Sequence, residues 1–260
     1  MPSPRARSAL SRIPLGRALI VLGLVLVAIN VASAVWDVRE ARARAQSRAQ
    51  RDLGNITRVL AEQTAGSLEA VDVILRDVAR TWGEQPEAQG VPRLREELAQ
   101  VPSIAALLVL DPQGRIVAHT GEIPAIAPDL SKHSIFTVHR SVGARGPHLS
   151  EPYAAGIDGS RWRFLLSRRL RGPGGTFGGV VVAAIEAGGF DRLYHSIDLG
   201  KGSFVSLLTD TGVFLSRVPA PEGIRGRAIA RGRGIAAVQE TGRFEGWTTS
   251  PVTHEPVLVF

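Results

Sequence analysis

The sequence has no cysteine, which excludes disulfide bonds, thiolate metal sites and cysteine nucleophiles. Lysine is scarce as well, because only Lys132 and Lys201 occur, so the net charge of +7 comes almost wholly from arginine. The chain also lacks an HExxH spacing, a G-x-S-x-G elbow and a zinc-ligand pattern. These absences predict a chain that is not itself an enzyme and that needs no metal or cofactor. Its 44% apolar content is enough for one sizeable core or two smaller ones.

An uncharged apolar run covers residues 18–36, in which only Asn30 and Ser33 are polar. As a helix rising about 1.5 Å per residue, it would span about 28 Å, close to the ~30 Å hydrocarbon core of a bilayer. Residues 1–17 contain four arginines and no acidic residue, which favours a cytoplasmic N-terminus. The run therefore predicts a transmembrane helix that exports the rest of the chain.

The same run permits a second interpretation. Ala32, Ser33 and Ala34 fit the small-residue cleavage pattern of a secretory signal peptide, which would make the chain a secreted periplasmic binding protein. Both interpretations export the remainder. The retained anchor is favoured, because the apolar run continues through Val35 and Trp36, past the possible cleavage point.

A long amphipathic helix is predicted over residues 37–82, which contain no proline. Gly54 and Gly66 each cost such a helix about 1 kcal/mol relative to alanine, so it needs a surface to pack against. That surface is either the chain's own domain or a second copy of the helix in a homodimer. The apolar residues at helical spacing are Leu53, Ile56, Leu60, Leu68, Val71, Ile74, Leu75 and Val78.

A strand, a tight turn and a second strand are predicted at residues 104–120, where Asp111, Pro112 and Gly114 have the order of a type I turn. The same unit recurs about a hundred residues later, at residues 204–217. In both copies a Leu-Leu pair precedes a turn that ends in glycine. A repeat of this length predicts two tandem domains of related fold.

Between the two copies, residues 129–140 fit a short helix or an ordered loop. Residues 162–170 and 177–185 read as two long strands joined by a glycine-rich turn. The turn is not a phosphate-binding loop, because no GK[ST] and no helix follow it. Residues 190–197 fit a helix that links the two domains.

The second domain is expected to be incomplete, because the chain ends at Phe260 inside an apolar run. A domain seldom stops within a run that looks like a buried strand. We therefore expect the sequence to be a piece of a longer architecture.

The residues above resemble the double Cache, or tandem PAS-like PDC, sensor domains that precede bacterial histidine kinases, diguanylate cyclases and chemoreceptors. The resemblance covers nearly the whole chain from Ala18 onward, and the order of the motifs carries it. The matching residues after the anchor and long helix are Asp111, Gly114, Phe136, His139, Arg140, Trp162, Ser167, Arg168, Arg169, Phe177, Gly179, Val180, Phe190, Tyr194, Gly212, Leu215, Arg217 and Pro219.

The resemblance implies an α+β fold: an N-terminal transmembrane helix, a long stalk helix and tandem PAS-like antiparallel sheets, the second incomplete. The implied segments are a cytoplasmic N-terminus at 1–17, a transmembrane helix at 18–36, the long helix at 37–82, a membrane-distal sensor domain at 83–202 and the start of a membrane-proximal domain at 203–260.

The implied function is that of a small-molecule-sensing input module in a transmembrane signalling protein of the histidine kinase or diguanylate cyclase type. It would sit in the bacterial inner membrane with its sensor in the periplasm and form a homodimer through the long helix. No phosphoacceptor helix, GGDEF motif or ATP-binding glycine loop occurs, so any kinase or cyclase activity is expected beyond residue 260.

In this family a ligand would lie between the first sheet and the segment 129–153. The candidate ligand-binding residues are His133, Phe136, His139, Tyr153, Trp162, Arg163 and Ser167. Members of the family usually show arginine and tyrosine where this chain has His133 and Ile135. Histidine binds a carboxylate more weakly than an arginine fork does. The resemblance therefore implies a ligand from the family's usual classes, amino acids and organic acids, but the substitution at His133 argues against tight binding of a carboxylate.

Two other classes of function are less well supported. His133, His139 and Asp129 could chelate a metal ion, but the spacing is not that of a known metal motif. The arginine and glycine residues at 225–227 and 231–234 resemble RNA-binding tracts. Export and the lack of an aromatic platform argue against nucleic acid, so a loop near anionic lipid is the simpler interpretation.

Overall fold

A computed structural model describes residues 15–82, 90–101, 103–122, 129–141, 146–155, 161–200, 202–229, 233–242, 244–250, 252–253 and 255–259. The chain divides into two compact units, Met1–Asn55 and Ile56–Phe260. Helix α1 (Leu15–Trp82) contributes residues to both.

In the first unit, the described residues form the N-terminal part of α1. Its large apolar side chains are exposed, with Leu24 at 65% and Trp36 at 70%, because no other described residue of the unit packs on them. Among the described residues, α1 is the one helix long and apolar enough to cross a membrane. The predicted transmembrane and stalk helices are therefore one continuous helix, which ends at Trp82 as expected.

The second unit is built around an antiparallel sheet of six strands in the order β2-β1-β6-β5-β3, with β4 also paired to β5. Helix α2 (Gly90–Gln100) precedes the sheet. The strands are β1 (Ile104–Leu110), β2 (Ile116–Gly121), β3 (His148–Leu149), β4 (Tyr153–Ala155), β5 (Arg161–Arg171) and β6 (Phe177–Glu186).

Both faces of this first sheet are covered. One face, the helix face, packs against α1 and α2 through a core that contains Leu75 and Leu94. The opposite face, the outer face, packs against Leu130, Ile135 and Phe136. These three come from short turns of helix, of which α3 (Ser134–Thr137) is one. The apolar stripe of α1 from Leu60 to Val78 therefore packs on the chain's own domain, which was one of the two predicted alternatives.

A helix, α4 (Gly188–His195), leads to smaller pieces of sheet. Strands β7 (Val205–Leu208) and β8 (Phe214–Val218) form one hairpin. After helix α5 (Arg233–Thr241), strands β9 (Gly246–Thr249) and β10 (Pro256–Val259) form another. The hairpin of β7 and β8, called the second sheet below, is smaller than the first sheet, which agrees with the predicted α+β fold and its incomplete second sheet. The domain limits 83–202 and 203–260 stay a prediction.

The repeated hairpin has the same geometry in both copies. In the first, Asp111 N–H donates to the Arg115 carbonyl and Gly114 N–H donates to the Asp111 carbonyl, both at 2.9 Å. In the second, Thr209 and Gly212 make the equivalent bonds, also at 2.9 Å. The two glycines lie 98 positions apart with φ of 87° and 85°, a left-handed conformation that favours glycine. The shared turn geometry therefore accounts for the glycine that occurs in both copies.

Candidate functional site

The outer face of the first sheet brings together most of the predicted ligand-binding residues. Side chains alternate between the two faces of a strand, so Arg163 and Ser167 of β5 share the outer face. Tyr153 pairs with Arg163 across β4 and β5, and His148 pairs with Ser167 across β3 and β5. His139 reaches the same face from the short helical turns that cover it.

His139 and Ser167 form a buried hydrogen-bonded pair. His139 is 1% exposed, and its Nε2 lies 3.0 Å from Ser167 Oγ. Ser167 Oγ donates to the His148 carbonyl at 3.2 Å, so its lone pair accepts from His139 Nε2–H. This network assigns the proton to Nε2 and leaves Nδ1 as an acceptor. Burial lowers the pKa of His139 to about 4, so the ring is neutral at physiological pH.

Three buried polar atoms on this face have no hydrogen-bond partner among the described residues. They are Nδ1 of His139, Nε2 of His148 and the hydroxyl of Tyr153. Burial raises the pKa of Tyr153 to about 12 and lowers the pKa of His148. Since buried polar groups are almost always paired, three such atoms on one face mark a place that can receive a polar molecule.

Arg163 is not free to clamp a carboxylate. It is 3% exposed and donates to Glu186 at 2.8 Å and to Glu122 at 3.0 Å. The hydrogen bond from Arg163 holds the pKa of Glu122 below its usual value. Two carboxylates therefore already compensate the one buried guanidinium, and the outer face carries no uncompensated positive charge at this point.

His133 and Phe136 hold the covering helix in place. The His133 side chain caps α3, because its Nδ1 accepts from Ile135 N–H at 3.4 Å. Burial lowers the pKa of His133. Phe136 is 1% exposed and meets the ring of Phe177 edge to face, with centroids 5.4 Å apart. Phe136 therefore shapes the wall of the site, and His133 holds the covering helix through its Nδ1.

Trp162 does not join the other candidates. As the neighbour of Arg163 on β5, it points to the helix face, where it packs against the α1 core. Its ring also packs against Gly226, because a Cβ atom at that glycine would lie only 2.9 Å from Cζ3 of the indole. The prediction that Trp162 is a wall of the same pocket overlooked this alternation of side chains along the strand.

An ion pair that the sequence did not reveal connects the sheet to α1. Arg168 of β5 donates from Nε and Nη2 to the two carboxylate oxygens of Asp72, both at 2.8 Å. Asp72 is 5% exposed and also accepts from Arg76 at 3.0 Å. Ser167 and Arg168 are consecutive on β5. The side chain of Ser167 therefore lies on the outer face, and that of Arg168 binds α1 on the helix face.

No group of three or more metal-binding side chains that could hold an ion occurs among the described residues. The described residues therefore do not bring His133, His139 and Asp129 together as a metal-binding group. His148 had not been predicted, and only its pairing with Ser167 places it beside His139.

Solved structures of similar fold are extracellular sensor domains. The extracellular domain of a protein described as a histidine kinase, rpHK1S-Z16, is 29% identical; the match covers 78% of this chain and 84% of that one, with a TM-score of 0.68. The ligand-binding domain of the Pseudomonas aeruginosa PAO1 amino acid chemoreceptor PctC, in complex with GABA, is 18% identical over 70% and 80%, with a TM-score of 0.54.

The ligand-binding domain of the Pseudomonas fluorescens chemoreceptor CtaA, in complex with L-alanine, is 17% identical over 80% of this chain and 87% of that one, with a TM-score of 0.55. No protein-family model and no curated protein sequence matches the chain.

The chain therefore has the fold of the extracellular sensor domains of histidine kinases and chemoreceptors. This confirms the resemblance to Cache-type sensors, the α+β fold class and the interpretation as a sensing input module. The structures that it resembles are sensor domains rather than catalytic ones.

Proposed function

We propose that the chain is the periplasmic input module of a bacterial inner-membrane signalling protein, of the histidine kinase or diguanylate cyclase type, and that it binds a small polar molecule on the outer face of its first sheet. The unpartnered atoms of His139, His148 and Tyr153 carry this proposal. Any catalytic output then lies outside this chain.

The chemistry of the face narrows the ligand. Nδ1 of His139 needs a hydrogen-bond donor, and a ligand amino or hydroxyl group supplies one. Arg163 offers no free charge for a carboxylate, because Glu122 and Glu186 already bind it. Among the family's ligand classes, amino acids therefore fit better than plain organic acids. The neighbours solved with GABA and L-alanine point to the same class.

Strand β5 offers a route from the ligand to the membrane. Ser167 is hydrogen-bonded to His139 on the outer face, and Arg168 forms an ion pair with Asp72 of α1 on the helix face. A ligand that moves β5 by a fraction of an ångström would shift the packing of α1, which is the helix that leads to the apolar span. Ligand binding would then favour one of two packings of that helix.

The membrane anchor and the homodimer belong to the same proposal. Helix α1 continues through Ala32, Ser33 and Ala34 without a break, which favours a retained anchor over a cleaved signal peptide. Val59 and Val73 of α1 are more than half exposed, so they leave apolar surface for a second copy. A C-terminally tagged chain should fractionate with membranes at full mass; a shortened soluble product would support the secreted alternative.

A thermal-shift experiment tests the ligand site. The full chain in nonionic detergent is screened against amino acids and, as a comparison, organic acids. A ligand at a hundred times its Kd adds about 2.7 kcal/mol, which raises the Tm by several degrees. His139→Leu removes the acceptor and should abolish the shift, whereas Ser141→Ala, on an exposed serine near the same helix, should keep it. Absence of any shift, or an equal shift in His139→Leu, would contradict the proposal.

A further inference from the structure

A buried arginine without a counter-charge lies in the second sheet. Arg217 of β8 is 4% exposed. Its guanidinium stacks on the ring of Phe204 at 3.8 Å and donates to Ser206 Oγ at 3.0 Å. Among the residues that the structure describes, no carboxylate pairs with it, and its Nε has no hydrogen-bond partner. Burial alone lowers its pKa.

Three other buried or half-buried arginines of this unit, Arg163, Arg168 and Arg225, are each paired with a carboxylate. Arg163 has two glutamates and Arg168 has Asp72. Arg225, in the same region as Arg217, binds Asp191. A buried charge is stable when it is paired and costly when it is not. Arg217 therefore has the properties of one half of an ion pair.

The stacking geometry fixes the direction from which an anion would bind Arg217. Phe204 covers the flat face of the guanidinium, so the N–H bonds point along its plane, past the edge of the ring. Nε and one neighbouring nitrogen on that edge form the fork that matches the two oxygens of a carboxylate. Cation–π contact with the ring fixes the orientation of the fork.

The repeat places Arg217 on the face that corresponds to the proposed ligand site of the first sheet. Arg217 pairs with Ser206 across β7 and β8. At the offset of 98 positions that separates the two hairpins, the equivalent pair is His119 and Leu108. Leu108 belongs to the core of the outer face. Ser206 and Arg217 thus occupy the outer face of the second sheet.

We propose that Arg217, with Ser206 and Phe204, forms a second binding site that takes the carboxylate of a small organic anion. The two sheets then differ in their unpartnered groups: the first offers the neutral polar atoms of His139, His148 and Tyr153, and the second offers the positive fork of Arg217. The site does not depend on the amino-acid site of the first sheet, and either can exist without the other.

The test measures the Tm of the full chain in nonionic detergent with sodium acetate, sodium phosphate or sodium chloride at equal ionic strength. Acetate should raise the Tm in a concentration-dependent manner, by about 5 °C or more at a hundredfold excess over its Kd, and chloride should not. Stabilisation by phosphate alone would overturn the assignment to a carboxylate. A Tm that is the same in all three salts would overturn the site itself.

Variants locate the effect. Arg217→Met removes the charge and keeps an apolar side chain of similar length, so it should abolish the response to acetate while leaving the Tm in chloride unchanged or higher, since an unpaired buried charge is gone. Arg225→Met is the matched control: it breaks the Asp191 pair, lowers the Tm and keeps the acetate response. An equal acetate response in Arg217→Met, or a Tm in chloride as low as that of Arg225→Met, would overturn the proposal.

A further variant covers failure of Arg217→Met to fold. Arg217→Lys keeps the charge and loses the fork, so half-saturation with acetate should require about tenfold more acetate. Unchanged half-saturation would contradict a forked contact. Tyr153→Phe, in the first sheet, should leave the acetate response intact, which separates this site from the amino-acid site.

Discussion

The two faces of the first sheet are built for different tasks. On the helix face, the charged pair is satisfied, because Arg168 and Asp72 are joined by two hydrogen bonds within an apolar core. On the outer face, His139, His148 and Tyr153 keep buried polar atoms without partners. The comparison teaches that the polar groups of one face are paired, whereas the other face leaves polar atoms unpaired at a cost in stability, as the proposed binding surface requires.

The helix face should show the largest effect of a single change. Asp72→Ala removes the partner of Arg168 on a nearly buried surface, and breaking such a pair destabilises the fold by about 3 kcal/mol. Urea unfolding of the full chain, followed by circular dichroism, measures the loss. The double variant Asp72→Leu with Arg168→Met removes both charges, and it should recover most of the loss. A double variant as unstable as Asp72→Ala would mean that the pair is not the source of the effect.

The outer face should show a pH dependence that comes from its buried histidines. The pKa of His139 is lowered to about 4 by burial, while the unfolded chain binds the same proton at about 6.5. Below pH 6.5 the unfolded state therefore binds more protons, and stability falls as the pH drops towards 4. Because one pKa unit corresponds to about 1.36 kcal/mol, protonation of His139 lowers the free energy of unfolding by about 3 kcal/mol in full. About half of this loss is reached near pH 5.

Thermal unfolding between pH 7.5 and 4.5 checks this expectation. Burial also lowers the pKa of His133 and His148, so both add a slope of the same sign. The difference between the wild type and His139→Gln isolates the contribution of His139. Parallel pH profiles for the two proteins would show that His139 titrates normally in the folded state.

The smallest effect is expected at Tyr153. Its hydroxyl is buried without a partner, so Tyr153→Phe should change the free energy of unfolding by less than about 1 kcal/mol in the absence of ligand. The same change should weaken ligand binding about tenfold, because one hydrogen bond contributes about 1 kcal/mol or slightly more. A large loss of stability would place Tyr153 with the structural residues of the helix face.

Much of the fold could be predicted because its signals are local. The apolar run at 18–36, the helix that ends at Trp82 and the strands that became β5 and β6 follow from periodicity and from glycine and proline. The repeated hairpin was visible because the same turn chemistry demands glycine at Gly114 and Gly212. The strand β3 and the helix α5 were not predicted. A two-residue strand is too short to show a hydrophobic periodicity, and the arginine- and glycine-rich sequence at the start of α5 hides one.

The candidate site was harder to predict because it depends on pairing across the sheet. His139 and Ser167 were named from the resemblance, yet their partner His148 follows only from the register of β3 against β5. The compensation of Arg163 by Glu122 and Glu186 joins residues more than twenty positions apart. No spacing in the sequence marks such contacts, so the charge of the site could not be read from composition.

The position of Trp162 has a practical consequence. Its indole ring lies on β5, one residue from Arg163, and also touches the turn at Gly226 that follows β8. Ultraviolet emission from this indole would respond to a change in the spacing of strand and turn without any attached dye. Replacing Trp36, Trp82 and Trp247 with phenylalanine would make it the sole indole of the chain, and the protein would then report its own conformational changes optically.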